Sequence, residues 1–158
     1  MKKFLSLLLF LPLVALLSSC HDDDGSSIPD VSFYLDVENT VSDGQIYVVQ
    51  GTDLDVTSLT VTNAEEGKAA IIGNASYYWD YEFLGTTNVS PFGMKVGISN
   101  TMPVGKHVLE VQCTVWAVDK EPAQAYLQYT VNVVASQDDV PATDSSSLTQ
   151  TAKMVQES

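Results

Sequence analysis

Two stretches late in the chain carry an apolar residue at every second position. In His107 to Val118, Leu109, Val111, Cys113, Val115 and Ala117 fall on one side, with Glu110, Gln112 and Thr114 on the other. In Ala125 to Val134, Leu127, Tyr129, Val131 and Val133 oppose Gln128, Thr130 and Asn132. Period two is the period of a strand with one buried face, and no helix can bury such a pattern on one side. The polar Asp119 to Gln124, with Pro122, reads as the loop joining the two strands.

The same period recurs upstream. Val31, Phe33, Leu35 and Val37 alternate with Ser32, Tyr34 and Asp36; Asn39 to Gly44 reads as a turn, and Gln45 to Gln50 as a short strand. Leu54 and Val56, then Leu59 and Val61, alternate with a slip of phase at Thr57-Ser58, which predicts a bulge. Ala69 to Ile72 reads as a brief strand closed by Gly73-Asn74, and Met94 to Ile98 as another. The most aromatic segment is Tyr77-Tyr78-Trp79-Asp80-Tyr81-Glu82-Phe83, where Tyr77, Trp79 and Tyr81 share a face and Trp79 is expected at the aromatic centre of the core. After Ala135 the periodicity ends, and residues 136–158 are expected to be an unstructured polar tail. Short strands with turns every ~8–12 residues predict an all-β fold: one antiparallel β-sandwich or barrel over residues 28–135.

The chain begins with basic Met1-Lys2-Lys3, then an apolar run from Phe4 to Leu17, then Ser18 and Ser19 before Cys20. The apolar run is shorter than the ~20 residues that span a bilayer and has the layout of a secretory signal over residues 1–19. Leu17-Ser18-Ser19-Cys20 resembles the lipobox of bacterial lipoproteins. The resemblance implies a signal cut before Cys20, acyl chains on that thiol and on the new amine, and membrane attachment through that lipid. Two or more chains anchor firmly where one holds marginally. His21-Asp22-Asp23-Asp24-Gly25 resembles the acidic export signal of Bacteroidetes surface lipoproteins, which places Asp22, Asp23 and Asp24 in a linker of residues 20–27. That implies an outer-membrane protein facing the outside of the cell. The alternatives for the three aspartates are a solvated acidic linker or a weak cation site, and for the address the periplasmic leaflet.

A second resemblance covers Ser76 to Val134. Tyr77-Tyr78-Trp79-Asp80, Phe83-Leu84-Gly85, Pro91-Phe92 and Gly105-Lys106-His107-Val108-Leu109-Glu110-Val111 resemble the immunoglobulin-like and PKD-like domains of bacterial surface proteins. The resemblance implies an immunoglobulin-like sandwich. Tyr81 stands where that family usually carries Gly, which argues against a tight type I′ turn there. No early strand carries a cysteine to meet Cys113, so the antibody-type disulfide is absent. With Cys20 taken by lipid, Cys113 is expected as a small buried side chain, the alternative being an intermolecular bridge.

A formal net charge of −13 with no arginine excludes nucleic acid as a partner, because such a chain repels phosphates. Catalytic sets are missing too. Of the two histidines, His21 lies in the tether and His107 at a strand start; no metal-ligand spacing or phosphate loop occurs, and no cofactor is implied. Asp80 and Glu82 share a face, but a strand beside a turn carries such residues as its solvated side. The expectation is therefore a non-enzyme. Trp116 falls on the polar face of its strand and Tyr126 on the matching face of the next. If the hairpin brings them together, they form a candidate platform for a glycan or a protein partner. The competing reading is a structural spacer or assembly subunit with no small ligand.

Overall fold

A computed structural model describes residues 27–156, so the signal, Cys20 and Asp22–Asp24 lie outside the described residues. Ten strands occur among them: β1 (Val31–Ser42), β2 (Gln45–Val49), β3 (Asp53–Asn63), β4 (Ala70–Trp79), β5 (Glu82–Thr87), β6 (Met94–Gly97), β7 (Gly105–Ala117), β8 (Ala123–Val134), β9 (Ser145–Gln150) and β10 (Lys153–Gln156). They pair in the order β5-β4-β7-β8-β2-β1-β3-β6, with β9 added to β1 and β10 to β8. The path folds over at β2, so the inner rows of β4, β7 and β8 face those of β1 and β3. Phe33, Leu35 and Leu59 thus share one core with Tyr77, Leu109, Val111, Leu127 and Val131. This is an immunoglobulin-like sandwich, antiparallel except where β2 runs parallel to β8.

The longest ladder joins β7 to β8, with Leu109 opposite Tyr129 and Val111 opposite Leu127. Both strands bury every second side chain, as their alternation predicts. The bulge expected near Thr57 is present: Asp36 pairs with Ser58 but Val37 with Val56. Cys113 is buried, and burial pushes its thiol up to about 12, so it packs as an apolar group.

Four expectations need correction. Asn39 to Gly44 is not one turn; β1 continues to Ser42, and only Asp43-Gly44 turns, both residues at positive φ. Asn39 instead ties β1 to β3, donating to the Asp53 carbonyl and accepting from the Asp55 N–H. Gly73-Asn74 does not close a strand; β4 runs through, with Gly73 as a bulge between the Ile72–Val115 and Asn74–Thr114 pairs.

Residues 136–156 are not an unstructured tail. β9 pairs with β1 from Phe33–Gln150 to Val41–Ser145, and β10 with β8 from Lys153–Tyr126 to Gln156–Ala123. The stretch hid because Leu148 is its one buried apolar side chain. What holds it is backbone pairing to open edges. Gln150 extends that pairing: its side-chain amide donates to the Gln128 carbonyl and accepts from the Gln128 N–H.

The fourth correction concerns Asp80-Tyr81. Trp79 pairs with Glu82, and the two residues between have φ of 48° and 71°, a type I′ geometry without glycine. A bulky residue at positive φ costs roughly 1–2 kcal/mol. The offset is local: Asp80 accepts hydrogen bonds from Val108 N–H and the His107 ring and donates its own N–H to the Val108 carbonyl. Tyr81 consequently leaves the inner face. Trp79 is buried, but at the end of the core; Tyr77 and Phe33 occupy the centre.

Two buried tyrosines differ in one respect. Tyr77 donates its hydroxyl to the Phe92 carbonyl at 2.5 Å, whereas the Tyr129 hydroxyl is buried without a partner. Tyr77→Phe should therefore lose about 1 kcal/mol, and Tyr129→Phe should gain a comparable amount by removing an unsatisfied group. Urea unfolding of both variants checks the opposite signs.

Candidate functional site

The outer face of the β5-β4-β7-β8 layer is the surface that the two candidate aromatics share. Trp116 is 49% exposed and Tyr126 37%. The register keeps them apart. Tyr126 sits opposite Gln112, four residues along β7 from Trp116, a separation of ~13 Å at ~3.3 Å per residue. Thr114 and Gln124, joined by a 2.9 Å hydrogen bond, lie between them. The expected aromatic pair across the hairpin is thus not formed.

Trp116 has a different neighbour. Across the β4–β7 ladder it pairs with Ile71, which is 61% exposed. The Gly73 bulge makes room for the indole: a Cβ on Gly73 would lie 3.0 Å from Trp116 Nε1. Val118, also exposed, follows on the same strand end, where its N–H reaches the Ala69 carbonyl. Ile71, Trp116 and Val118 make one apolar end of the face.

The other end carries aromatics that the sequence reading did not select. Tyr78 and Phe83 pair across the β4–β5 hairpin, ring centroids 5.4 Å apart and edge to face. Phe83 is 58% exposed, and Tyr81 at the turn 70%. Tyr78 pairs with Glu110 where Ile71 pairs with Trp116, so the two ends lie six residues, ~20 Å, apart along β7. An available signal was the Asp80-Tyr81 pair read as a two-residue turn, which sets Tyr78 and Phe83 on one face. The presence of Tyr in place of Gly concealed it.

Between the ends runs a polar ladder. Ser76 and Thr86 share a 2.7 Å hydrogen bond, and Gln112 and Gln128 both donate to Glu110, at 2.6 and 2.8 Å. These bonds hold the side chains in place around Glu110, the ladder's one acidic residue. A face built so offers apolar contact at two ends and hydrogen-bonding groups, uncharged except for Glu110, between them.

Asp80 and Glu82 do not form a catalytic pair. Asp80 is spent on His107 and Val108, at 2.6 and 2.9 Å. The His107 ring stacks on Trp79 with centroids 5.1 Å apart. Elsewhere, a cavity of about 240 Å³ lies between β1, β8 and β9, lined by Val41, Tyr129 and Leu148 with uncharged Ser, Thr and Gln side chains. No cluster of three or more potential metal ligands occurs among the described residues.

No family model matches the chain, and no curated protein matches it. Among solved structures it is similar to the fibronectin(III)-like modules of Clostridium thermocellum CbhA, at 15% identity and a TM-score of 0.39, over 64% of this chain and 99% of that one.

The two tryptophans should respond differently to truncation. Trp79→Ala should cost about 3–5 kcal/mol, the range for a buried large aromatic. Trp116→Ala should cost about 1 kcal/mol or less, the scale of a cross-strand pair. Gly73→Ala should displace the indole and change Trp116 fluorescence without unfolding the domain. Denaturant titrations followed by tryptophan emission measure all three.

Proposed function

We propose that this chain is a non-catalytic binding or accessory module, anchored by lipid on Cys20 and displayed on the outside of the outer membrane. The observation that carries the binding role is the outer sheet face. It exposes Ile71 and Trp116 at one end and Phe83, packed on half-buried Tyr78, at the other, around an ordered polar ladder. Exposed aromatics supply large contact area at low conformational cost, and the hydroxyls and amides between them orient a ligand. A glycan or a surface protein suits this chemistry. A highly acidic surface without arginine does not suit a phosphorylated or nucleic-acid ligand.

One observation favours the assembly-subunit reading. β5 ends the sheet order, so one side of its backbone is unpaired, and it exposes Phe83 and Leu84. The other terminal strand, β6, is shorter and carries Lys95, paired with Asp55 at 2.8 Å. Charge and shortness protect an edge from added strands; β5 is longer, and its one charge, Glu82, sits at its first residue beside the turn.

The anchor is tested by Cys20→Ser, which should abolish palmitate labelling and release the protein from membranes. Replacing Asp22, Asp23 and Asp24 with Ala should retain the lipid but remove the domain from the reach of protease added to intact cells. Continued labelling of the serine variant refutes the lipid site, and continued surface cleavage of the alanine variant reduces the aspartates to a linker.

For the binding role, the detergent-solubilised chain is applied to a glycan array and to candidate surface proteins. Trp116→Ala and Phe83→Ser should each fold and lose at least tenfold in affinity, about 1.4 kcal/mol, for the ligand found. If no ligand is found and Phe83→Lys instead abolishes self-association in sedimentation, the assembly reading replaces the binding one.

A further inference from the structure

His107 closes one end of the sandwich. Its side chain is 10% exposed and stacks on Trp79. Nδ1 lies 2.6 Å from Asp80 Oδ2, and Nε2 lies 2.8 Å from the Pro103 carbonyl oxygen. A backbone carbonyl only accepts, and so does an ionised carboxylate. With Asp80 ionised, both ring nitrogens must donate, which requires the imidazolium. A neutral ring has one N–H and must turn a lone pair toward one of these oxygens.

The choice between the two is settled by bond strength. A hydrogen bond to a carboxylate is about twice as strong as one to a neutral carbonyl. Asp80 is also fixed from its other side, because its Oδ1 accepts the Val108 N–H at 2.9 Å. On loss of a proton, Nδ1–H therefore stays on Asp80, and Nε2 faces the Pro103 carbonyl without a hydrogen.

We propose that His107 is a proton-controlled latch that ties the β6–β7 loop, residues 98–104, to the β4–β5 turn. Protonated, the ring bridges Asp80 and Pro103. Deprotonated, it stays with Asp80 and releases Pro103. The loop is also held by the Gln50 amide donating to the Met102 carbonyl, by Met102 packing against the core and by backbone bonds of Ile98 to Gly51 and Thr52, so release is local rather than global.

The groups around the ring are consistent with this behaviour. Desolvation lowers the His107 pKa, but the bonds to Asp80 and Pro103 and the Asp80 charge outweigh it, and the net direction is upward. Asp80 is the one charged side chain acting on the ring. From its own strand the nearest charges are Lys106, which alternation points to the opposite face, and Glu110 beyond it. β5 brings Glu82, exposed and opposite Trp79, while β8 places uncharged Val131 across from His107. The loop itself, from Ile98 to Val104, contains no ionisable side chain. A raised folded pKa means the latch contributes fully below the unfolded value of ~6.5 and is lost as pH rises through the folded value. The loop is thus held in mild acid and freed as pH rises through the raised folded value.

The test is nitrogen-15 NMR of the His107 ring together with amide hydrogen exchange of residues 99–106, corrected for intrinsic rates, from pH 5 to 9. Both ring nitrogens should be protonated at pH 5, and Nε2 should lose its proton first. Loop protection should fall about tenfold across the same titration, the lower end for a hydrogen bond to a charged group. His107→Gln should show low protection at every pH. A neutral ring at pH 5, proton loss from Nδ1, or loop protection that ignores the titration each overturns the latch. The ring spectrum uses the unmodified chain, so it decides the matter even if the variant fails to fold.

Discussion

The fold depends on one row of side chains finding another. Leu109, Val111, Cys113 and Val115 on β7 and Tyr129, Leu127, Ala125 and Ala123 on β8 line up because backbone pairing sets them opposite each other. Neither strand can bury that row alone. Phe33, Leu35 and Leu59 from β1 and β3 cover it from the other side. A slip of one residue in any of these ladders would send an entire row to solvent, so register is held by burial as much as by hydrogen bonds. Everything on the outer face follows from that register. It is the reason Trp116 meets Ile71 and stays away from Tyr126.

Three bulges adjust this scheme without breaking it. Near Thr57 and at Gly73 and Leu84 one strand gains a residue on its partner, and the alternation changes phase there. Each change moves side chains between faces. At Gly73 the absent side chain also leaves space for the Trp116 indole. The same economy governs Asp80-Tyr81, where a conformation suited to glycine is held by carboxylate bonds to β7. The turn and the His107 latch are one construction: Asp80 holds the strained hairpin and orients the ring that reaches Pro103.

The edges explain the last part of the chain. β9 lies on the open side of β1, and β10 beside the first residues of β8, leaving β2 to pair with its end. These strands bury little; Leu148 of β9 enters the core and Met154 of β10 packs against it. Their work is to satisfy backbone groups that would otherwise face solvent as templates for other chains. Among the described residues β5 receives no such cover, and its exposed Phe83 and Leu84 make that difference visible.

From the sequence alone came the all-β class, the inner rows of β1, β7 and β8, the bulge near Thr57 and the burial of Cys113. Each of these is a local property: alternation and phase are written in consecutive residues and need no knowledge of what lies opposite. The lipobox resemblance of Leu17-Ser18-Ser19-Cys20 is likewise a motif of adjacent residues, and it lies outside the described residues. The exposure of Trp116 and Tyr126 could be read from parity, but their separation could not, because register across a hairpin is set by the whole ladder. The strands of residues 145–156 carry almost no apolar signal and exist because β1 and β8 offer edges made elsewhere in the chain. The Asp80-Tyr81 turn went against local preference, since its cost is offset by His107 and Val108, which are distant in sequence. What tertiary structure decided was which atoms meet across long separations, and the candidate face and the latch both consist of such meetings.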